Sequence, residues 1–96
     1  MIKITLSSVF DLAQIFGRNK ITVDLHEGAD VAALLESLSN KFGEEFTGLI
    51  YFENGTFKEE EFSIMVNGRN IFAYNGFAQI LSDCDDVLIL PIVGGG

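Results

Sequence analysis

The 96-residue sequence is poor in cysteine, histidine and positive charge: it has one cysteine, one histidine and six lysine or arginine residues. One cysteine cannot form an internal disulfide, and one cysteine with one histidine is too few for a zinc site. The motifs G-x-G-x-x-G, H-E-x-x-H and G-x-S-x-G and the phosphate-binding P-loop are also missing. We therefore expect no metal, no cofactor and no internal active site.

The charge balance restricts the kinds of partner. Fourteen acidic residues against six basic ones give a formal net charge of -8. Such a surface repels nucleic-acid phosphates and anionic membranes, so basic protein surfaces are the natural partners. No cationic signal peptide or long apolar span opens the sequence, and together with the single cysteine this predicts a cytoplasmic protein.

The first half of the chain predicts two strands followed by a helix. Residues 2–7 alternate between apolar and polar, as a half-buried strand requires, and a second strand begins at Lys20. Residues 9–16 carry apolar side chains at helical spacing between these strands. Asp30 can cap a longer helix, which Gly43 would close in the left-handed conformation. The apolar stripe of that helix is Val31, Leu34, Leu35, Leu38 and Phe42.

The second half predicts shorter elements and a central last strand. A short helix and a loop are expected over 44–61, followed by a strand over 63–67. Asn67-Gly68 is a strong hairpin signal before another strand at 70–74. The nearly unbroken apolar run 87–92 is typical of a central strand. This order of strands and helices predicts the α+β class, with a mixed sheet and one principal helix on one face.

The last strand carries a consequence for binding. If helices cover one face of the sheet, either Leu88 and Leu90 or Val87 and Ile89 point away from them. An exposed apolar patch in a small domain usually marks a partner site. We therefore expect an apolar docking surface on one face of this strand.

Three glycines, Gly94, Gly95 and Gly96, end the sequence directly after this strand. Glycine has no Cβ atom, so a triglycine can pass through a channel that is too narrow for any side chain. We expect a domain over residues 1–93 and a flexible tail over 94–96, whose carboxylate can reach an active site in another protein.

These features together resemble the MoaD and ThiS sulfur carriers, particularly the small subunit of molybdopterin synthase and its archaeal modifier relatives. The resemblance rests on Val66-Asn67-Gly68-Arg69-Asn70, Asp83-Cys84-Asp85 and Leu90-Pro91-Ile92-Val93-Gly94-Gly95-Gly96. The chain departs from the family pattern at Cys84, where a turn glycine is usual, and at Asp86, Ile92 and Gly94.

The resemblance implies a β-grasp fold, as in ubiquitin, and a non-catalytic role as a sulfur carrier. An ATP-dependent adenylyltransferase similar to MoeB would activate Gly96, and a sulfur donor protein would convert it to a thiocarboxylate. A large synthase subunit similar to MoaE would then use that sulfur to make molybdopterin. The residues expected to bind these partners are Leu88, Leu90, Pro91, Ile92, Val93 and Arg69.

Two alternatives remain open at this point. A ubiquitin-like modifier would also be adenylated at Gly96 but would end in an isopeptide bond to a lysine. A plain binding domain would keep its function without Gly95 and Gly96.

Overall fold

The N-terminal half folds as its alternation predicts. The computed structural model describes residues 1–92. Strand β1 (Ile2–Ser8) pairs antiparallel with β2 (Lys20–Leu25), with Ile4 opposite Val23. Helix α1 (Phe10–Phe16) connects them. Both strands and the short helix between them are confirmed.

The principal helix α2 (Val31–Phe42) begins where the sequence indicated. The carboxylate of Asp30 accepts a hydrogen bond from the backbone N–H of Ala33 at 2.9 Å, which satisfies a free donor of the first turn. Gly43 ends the helix, but its φ of 68° and ψ of -148° are not left-handed helical, so the predicted cap conformation is wrong. This region is open essentially to glycine alone, and it turns the chain directly into helix α3 (Glu44–Ile50).

A two-residue hairpin joins β3 (Phe62–Val66) to β4 (Arg69–Asn70). Asn67 and Gly68 both have positive φ, 51° and 83°, as the tightest hairpin turns require. The predicted turn is confirmed.

The strand predicted over 70–74 is wrong beyond Asn70. The side chain of Asn70 accepts a hydrogen bond from the backbone N–H of Phe72 at 2.9 Å and so caps a 3-10 turn over Ile71–Ala73. A second 3-10 turn follows over Gly76–Ala78. Helical turns therefore replace the extended strand, because the asparagine offers the backbone a local partner.

The last strand, β5 (Asp86–Pro91), lies in the middle of the sheet. The strand order is β2-β1-β5-β3-β4, with β5 parallel to β1 and antiparallel to β3. This confirms the mixed sheet, the α+β class and the central position of the last strand.

One apolar core lies between the sheet and the helices. Helices α1, α2 and α3 all contribute to it, through residues such as Leu12, Leu34 and Phe46. The neighbouring strands β1 and β5 contribute Ile4, Leu6, Val87 and Ile89, each of which is fully buried. No helix within residues 1–92 is long and apolar enough to cross a membrane.

Candidate functional site

The two faces of β5 have different environments. Val87 and Ile89 have no exposed surface and lie in the core. Leu88 and Leu90 alternate with them and are half-buried on the opposite face of the sheet. The structure thus decides which pair points away from the helices, and the binding of a partner there stays a prediction.

The half-buried leucines belong to what we call the outer patch, which is Leu88, Leu90 and Met65. Met65 lies opposite Leu88 in the register of β3 and β5, and Ser63 lies opposite Leu90. On the other side of β5, Ser7 of β1 pairs with Leu88. Leu88, Leu90 and Met65 are each half-buried, so only part of their apolar surface faces solvent. Sequence reasoning missed Met65, although the alternation of β3 placed it on this face.

The chain leaves the sheet at one end of β5. The backbone N–H of Ile92 donates to the carbonyl oxygen of Glu61 at 2.8 Å, and the Ile92 side chain is 49% exposed. Because β5 runs parallel to β1, this exit lies beside the end of β1, where α1 begins. Val93 and Gly94, Gly95 and Gly96 lie outside the described residues. So do the predicted domain boundary at residue 93 and the predicted flexible tail.

Arg69 lies on the other side of the sheet from the outer patch. It pairs with Val66, a buried residue of the covered face, and its guanidinium carbon lies 5.5 Å from the centre of the Tyr74 ring. A cation over an aromatic face gains modest stability from this contact. The structure therefore does not bring Arg69 together with Leu88 and Leu90, although the sequence grouped them.

Two sequence motifs meet at the start of β5. The Asn67 side chain donates to an oxygen of Asp85 at 2.9 Å and accepts from the backbone N–H of Asp86 at 2.9 Å. One oxygen of Asp83 accepts from the backbone N–H of Lys3 at 2.7 Å. The residues that carry part of the family resemblance thus fasten β5 to its neighbours and do not form a site at the chain exit.

Cys84 occupies a glycine-like position in this turn. Its φ is 69°, which explains why a glycine is usual there. The negative charge of Asp83, followed by the hydrogen bond to that carboxylate, raises the pKa of the Cys84 thiol. A protonated thiol is a poor nucleophile, so the geometry does not favour a catalytic cysteine. Within residues 1–92, no group of three His, Cys, Asp or Glu side chains is arranged to hold a metal ion.

The geometry comprises a five-stranded mixed sheet, a central last strand and an exit directly after it. A family model described as the ThiS family matches residues 11–96. The chain belongs to the ThiS family. This confirms the resemblance to the sulfur-carrier family seen in the sequence. No curated protein matches the chain.

Solved structures show the same fold as this ThiS-family chain. A putative molybdopterin converting factor, subunit 1, from Pyrococcus furiosus is 27% identical, with a TM-score of 0.75 over 97% of this chain and 100% of that one. The small archaeal modifier protein 1 of Methanosarcina acetivorans is 24% identical, with a TM-score of 0.81 over 100% of this chain and 98% of that one. The BexX/CysO complex of Amycolatopsis orientalis contains a chain that is 19% identical, with a TM-score of 0.71 over 97% of this chain and 99% of that one. These likenesses confirm the β-grasp fold.

Proposed function

We propose that this ThiS-family chain carries sulfur for molybdopterin synthesis on the carboxylate of Gly96. One observation carries the proposal: the central strand β5 ends at Pro91 at the domain surface, the next residue, Ile92, is exposed, and the sequence beyond it ends in three glycines. A rigid strand is a firm base for a tail that must be placed in a partner's active site. The 27% identity to a molybdopterin converting factor subunit supports the pathway.

The chemistry at Gly96 proceeds through an activated acyl group. The carboxylate attacks the α-phosphorus of ATP, and pyrophosphate leaves to give an acyl-adenylate. A donor persulfide then attacks the carbonyl carbon and displaces AMP. A thiol cleaves the resulting sulfur–sulfur bond by thiol–disulfide exchange and leaves a thiocarboxylate. Its sulfur is a good nucleophile and is delivered to the molybdopterin precursor.

The partners supply the catalysis in this scheme. They are an adenylyltransferase similar to MoeB, a sulfur donor protein and a large synthase subunit similar to MoaE. The carrier itself needs no cofactor, and the reactions take place in the cytoplasm. The net charge of -8 favours basic partner surfaces and steers their encounter at low ionic strength.

The outer patch is the proposed docking surface for these partners. Its leucines lie on strand β5 itself, so a partner that binds them holds a fixed position relative to the tail. We expect Leu88→Asp to weaken binding to the adenylyltransferase by at least tenfold, because a carboxylate would be buried without a partner. Titration calorimetry measures this change. The comparison is Thr22→Asp, an exposed residue of the edge strand β2 on the same face of the sheet, two strands away from β5. Unchanged affinity in Leu88→Asp would contradict docking at this patch.

A protein modifier is the second candidate, and the similarity to small archaeal modifier protein 1 favours it. In that case a lysine amine attacks the adenylate or a thioester derived from it, and Gly96 ends in an isopeptide bond. Intact mass spectrometry of the protein from its native host separates the two outcomes. Replacement of one oxygen by sulfur indicates carriage, whereas larger lysine-linked adducts indicate conjugation.

The tail hypothesis is tested by Gly95→Phe. A bulky side chain would hold the Gly96 carboxylate short of ATP in a narrow channel, and we expect adenylate formation to fall on the order of a hundredfold. The free energy of unfolding should change by no more than about 0.5 kcal/mol. ATP–pyrophosphate exchange and thermal melting measure the two effects.

Gly48→Phe is the matched control for that variant. Gly48 is exposed on α3, and a Cβ atom added there meets no heavy atom within 4 Å. Gly48→Phe adds the same side chain to the surface, far from the tail in sequence, and should leave adenylate formation unchanged. Full activity in Gly95→Phe would refute the role of the tail.

A further inference from the structure

Phe10, the first residue of α1, is unusual in both exposure and backbone conformation. Its side chain is 72% exposed, and its φ is 54°. A positive φ is rare for a bulky residue, and strained residues of this kind concentrate at functional sites. At Asn67, by contrast, the hairpin turn accounts for the positive φ. Nothing in the packing of Phe10 requires an aromatic side chain at that position.

Phe10 stands beside the exit of the chain. It lines a depression of 220 Å³, together with Val9, Asp11, Leu12, Phe62 and Pro91. Pro91 is the last residue of β5, and the next residue, Ile92, is 49% exposed. Two exposed apolar side chains, Phe10 and Ile92, therefore flank the exit of the chain.

The length of the tail limits where a processing enzyme can stand. Four residues, 93–96, separate Ile92 from the carboxylate of Gly96. An extended chain spans at most about 3.6 Å per residue, so the carboxylate reaches roughly 14 Å from Ile92. An enzyme that encloses the carboxylate in its active site must therefore bring the mouth of that site against the exit.

We propose that Phe10, Ile92 and the depression beside Pro91 form an exit collar that binds the mouth of the adenylating enzyme's active site. Phe10 inserts into an apolar pocket there, as buried aromatic anchors do at the centre of many interfaces. The collar is a second contact surface beside the outer patch. The inference rests on the proposed reaction at Gly96, because the short tail is what forces the contact.

The backbone strain at Phe10 gives the proposal a distinctive signature. Asparagine adopts positive φ far more readily than phenylalanine, and it is polar. Phe10→Asn should therefore raise the thermal midpoint or leave it unchanged while it weakens recognition. If Phe10 served only to stabilise the fold, Phe10→Asn would lower the thermal midpoint.

The test measures steady-state ATP–pyrophosphate exchange with the adenylating enzyme of the source organism as the probe. We expect Phe10→Asn to raise the KM for the carrier at least tenfold with kcat little changed, since the tail is intact. Phe10→Leu keeps apolar volume and should retain most of the affinity. Ile80→Asn is the control, because Ile80 is 54% exposed and lies near Asn67 and Asp85, at the other end of β5.

The outcomes separate the collar from the proposed function. Adenylation of the wild-type chain with an unchanged KM for Phe10→Asn would overturn the collar alone. Absence of adenylation of the wild-type chain would overturn the proposed function, and the collar with it. An equal rise in KM for Ile80→Asn would also overturn the collar, because the effect would not depend on the exit.

Photo-crosslinking provides a measurement that does not depend on the fold of Phe10→Asn. Benzoylphenylalanine at position 10 should crosslink to the adenylating enzyme, and the same group at position 80 should not. Crosslinking from position 80 but not from position 10 would overturn the proposal.

Discussion

The two ends of strand β5 are held in different ways. At its start, the side chains of Asn67, Asp83 and Asp85 bind backbone and side-chain groups of neighbouring segments. At its other end, within the described residues, the backbone of Ile92 makes a single hydrogen bond to Glu61. The start is built for stability, and the exit leaves its apolar side chains available to partners. Under the proposed function, one strand thus separates the requirements of the fold from those of recognition.

Among variants that test the difference between the two ends of β5, we expect Asp85→Ala to cause the largest loss of stability. The Asp85 carboxylate accepts from the backbone N–H of Ser82 at 2.8 Å and from the Asn67 side chain at 2.9 Å. Hydrogen bonds to charged groups contribute about 1.5–3 kcal/mol, so we expect a loss of about 2 kcal/mol in the free energy of unfolding. Urea denaturation measures it.

Ile92→Ser is the matching variant at the exit end of β5, and its free energy of unfolding is compared with that of Asp85→Ala. Its side chain is 49% exposed, and the change should alter the free energy of unfolding by about 0.5 kcal/mol or less. Equal losses in the two variants would break the contrast between the ends of β5.

A smaller effect of opposite sign is expected from Cys84→Gly. A side chain at positive φ costs about 1–2 kcal/mol, and the extra backbone freedom of glycine offsets about 0.5–1 kcal/mol of the gain. The variant should be up to about 1 kcal/mol more stable. Cys84→Ala, which removes the thiol but keeps the Cβ atom, should show no such gain. A gain in the alanine variant would assign the effect to the thiol and not to the backbone.

The smallest effect concerns pH. The hydrogen bond from the Lys3 backbone is the main cause that lowers the pKa of Asp83 below its usual 3.8. Because the pKa is lower in the folded state, the ionised carboxylate stabilises the fold above pH 3.8. That stabilisation is lost as the pH falls through the lowered pKa. Asp83→Asn should therefore flatten the acid limb of the stability curve. Asp11→Asn at the exit end is the control, and an equal change in both variants would contradict the assignment.

Much of the fold could be read from local patterns. The alternation of residues 2–7, the stripe of α2 and the Asn67-Gly68 turn each depend on nearby residues, and each was predicted correctly. The strand predicted over 70–74 failed because apolar spacing does not reveal that Asn70 caps a helical turn. Short segments with few residues carry too little periodicity to choose between such states.

The candidate site was predictable in part. Glycines at the chain end and the leucines of β5 were visible in the sequence, because composition and alternation are properties of single segments. Met65 and Phe10 were not found, since their importance depends on neighbours from other segments. The proposed role of Met65 follows from its position opposite Leu88, and that of Phe10 from its position beside Pro91.

The sequence by itself determined the α+β class, because turn residues and periodicity act locally, and it carried the motifs by which the chain resembles its family. The chemistry proposed at Gly96 is what that resemblance implies. Only the tertiary structure decided that Leu88 and Leu90 point away from the core and that Arg69 lies on the other side. It also decided that α1 begins beside the exit of β5. The position of α1 beside the exit and the choice between the two faces of β5 depend on the pairing of β1 with β5. The paired residues Thr5 and Asp86 are 81 positions apart in the sequence (86 − 5), and no local pattern specifies such a pairing.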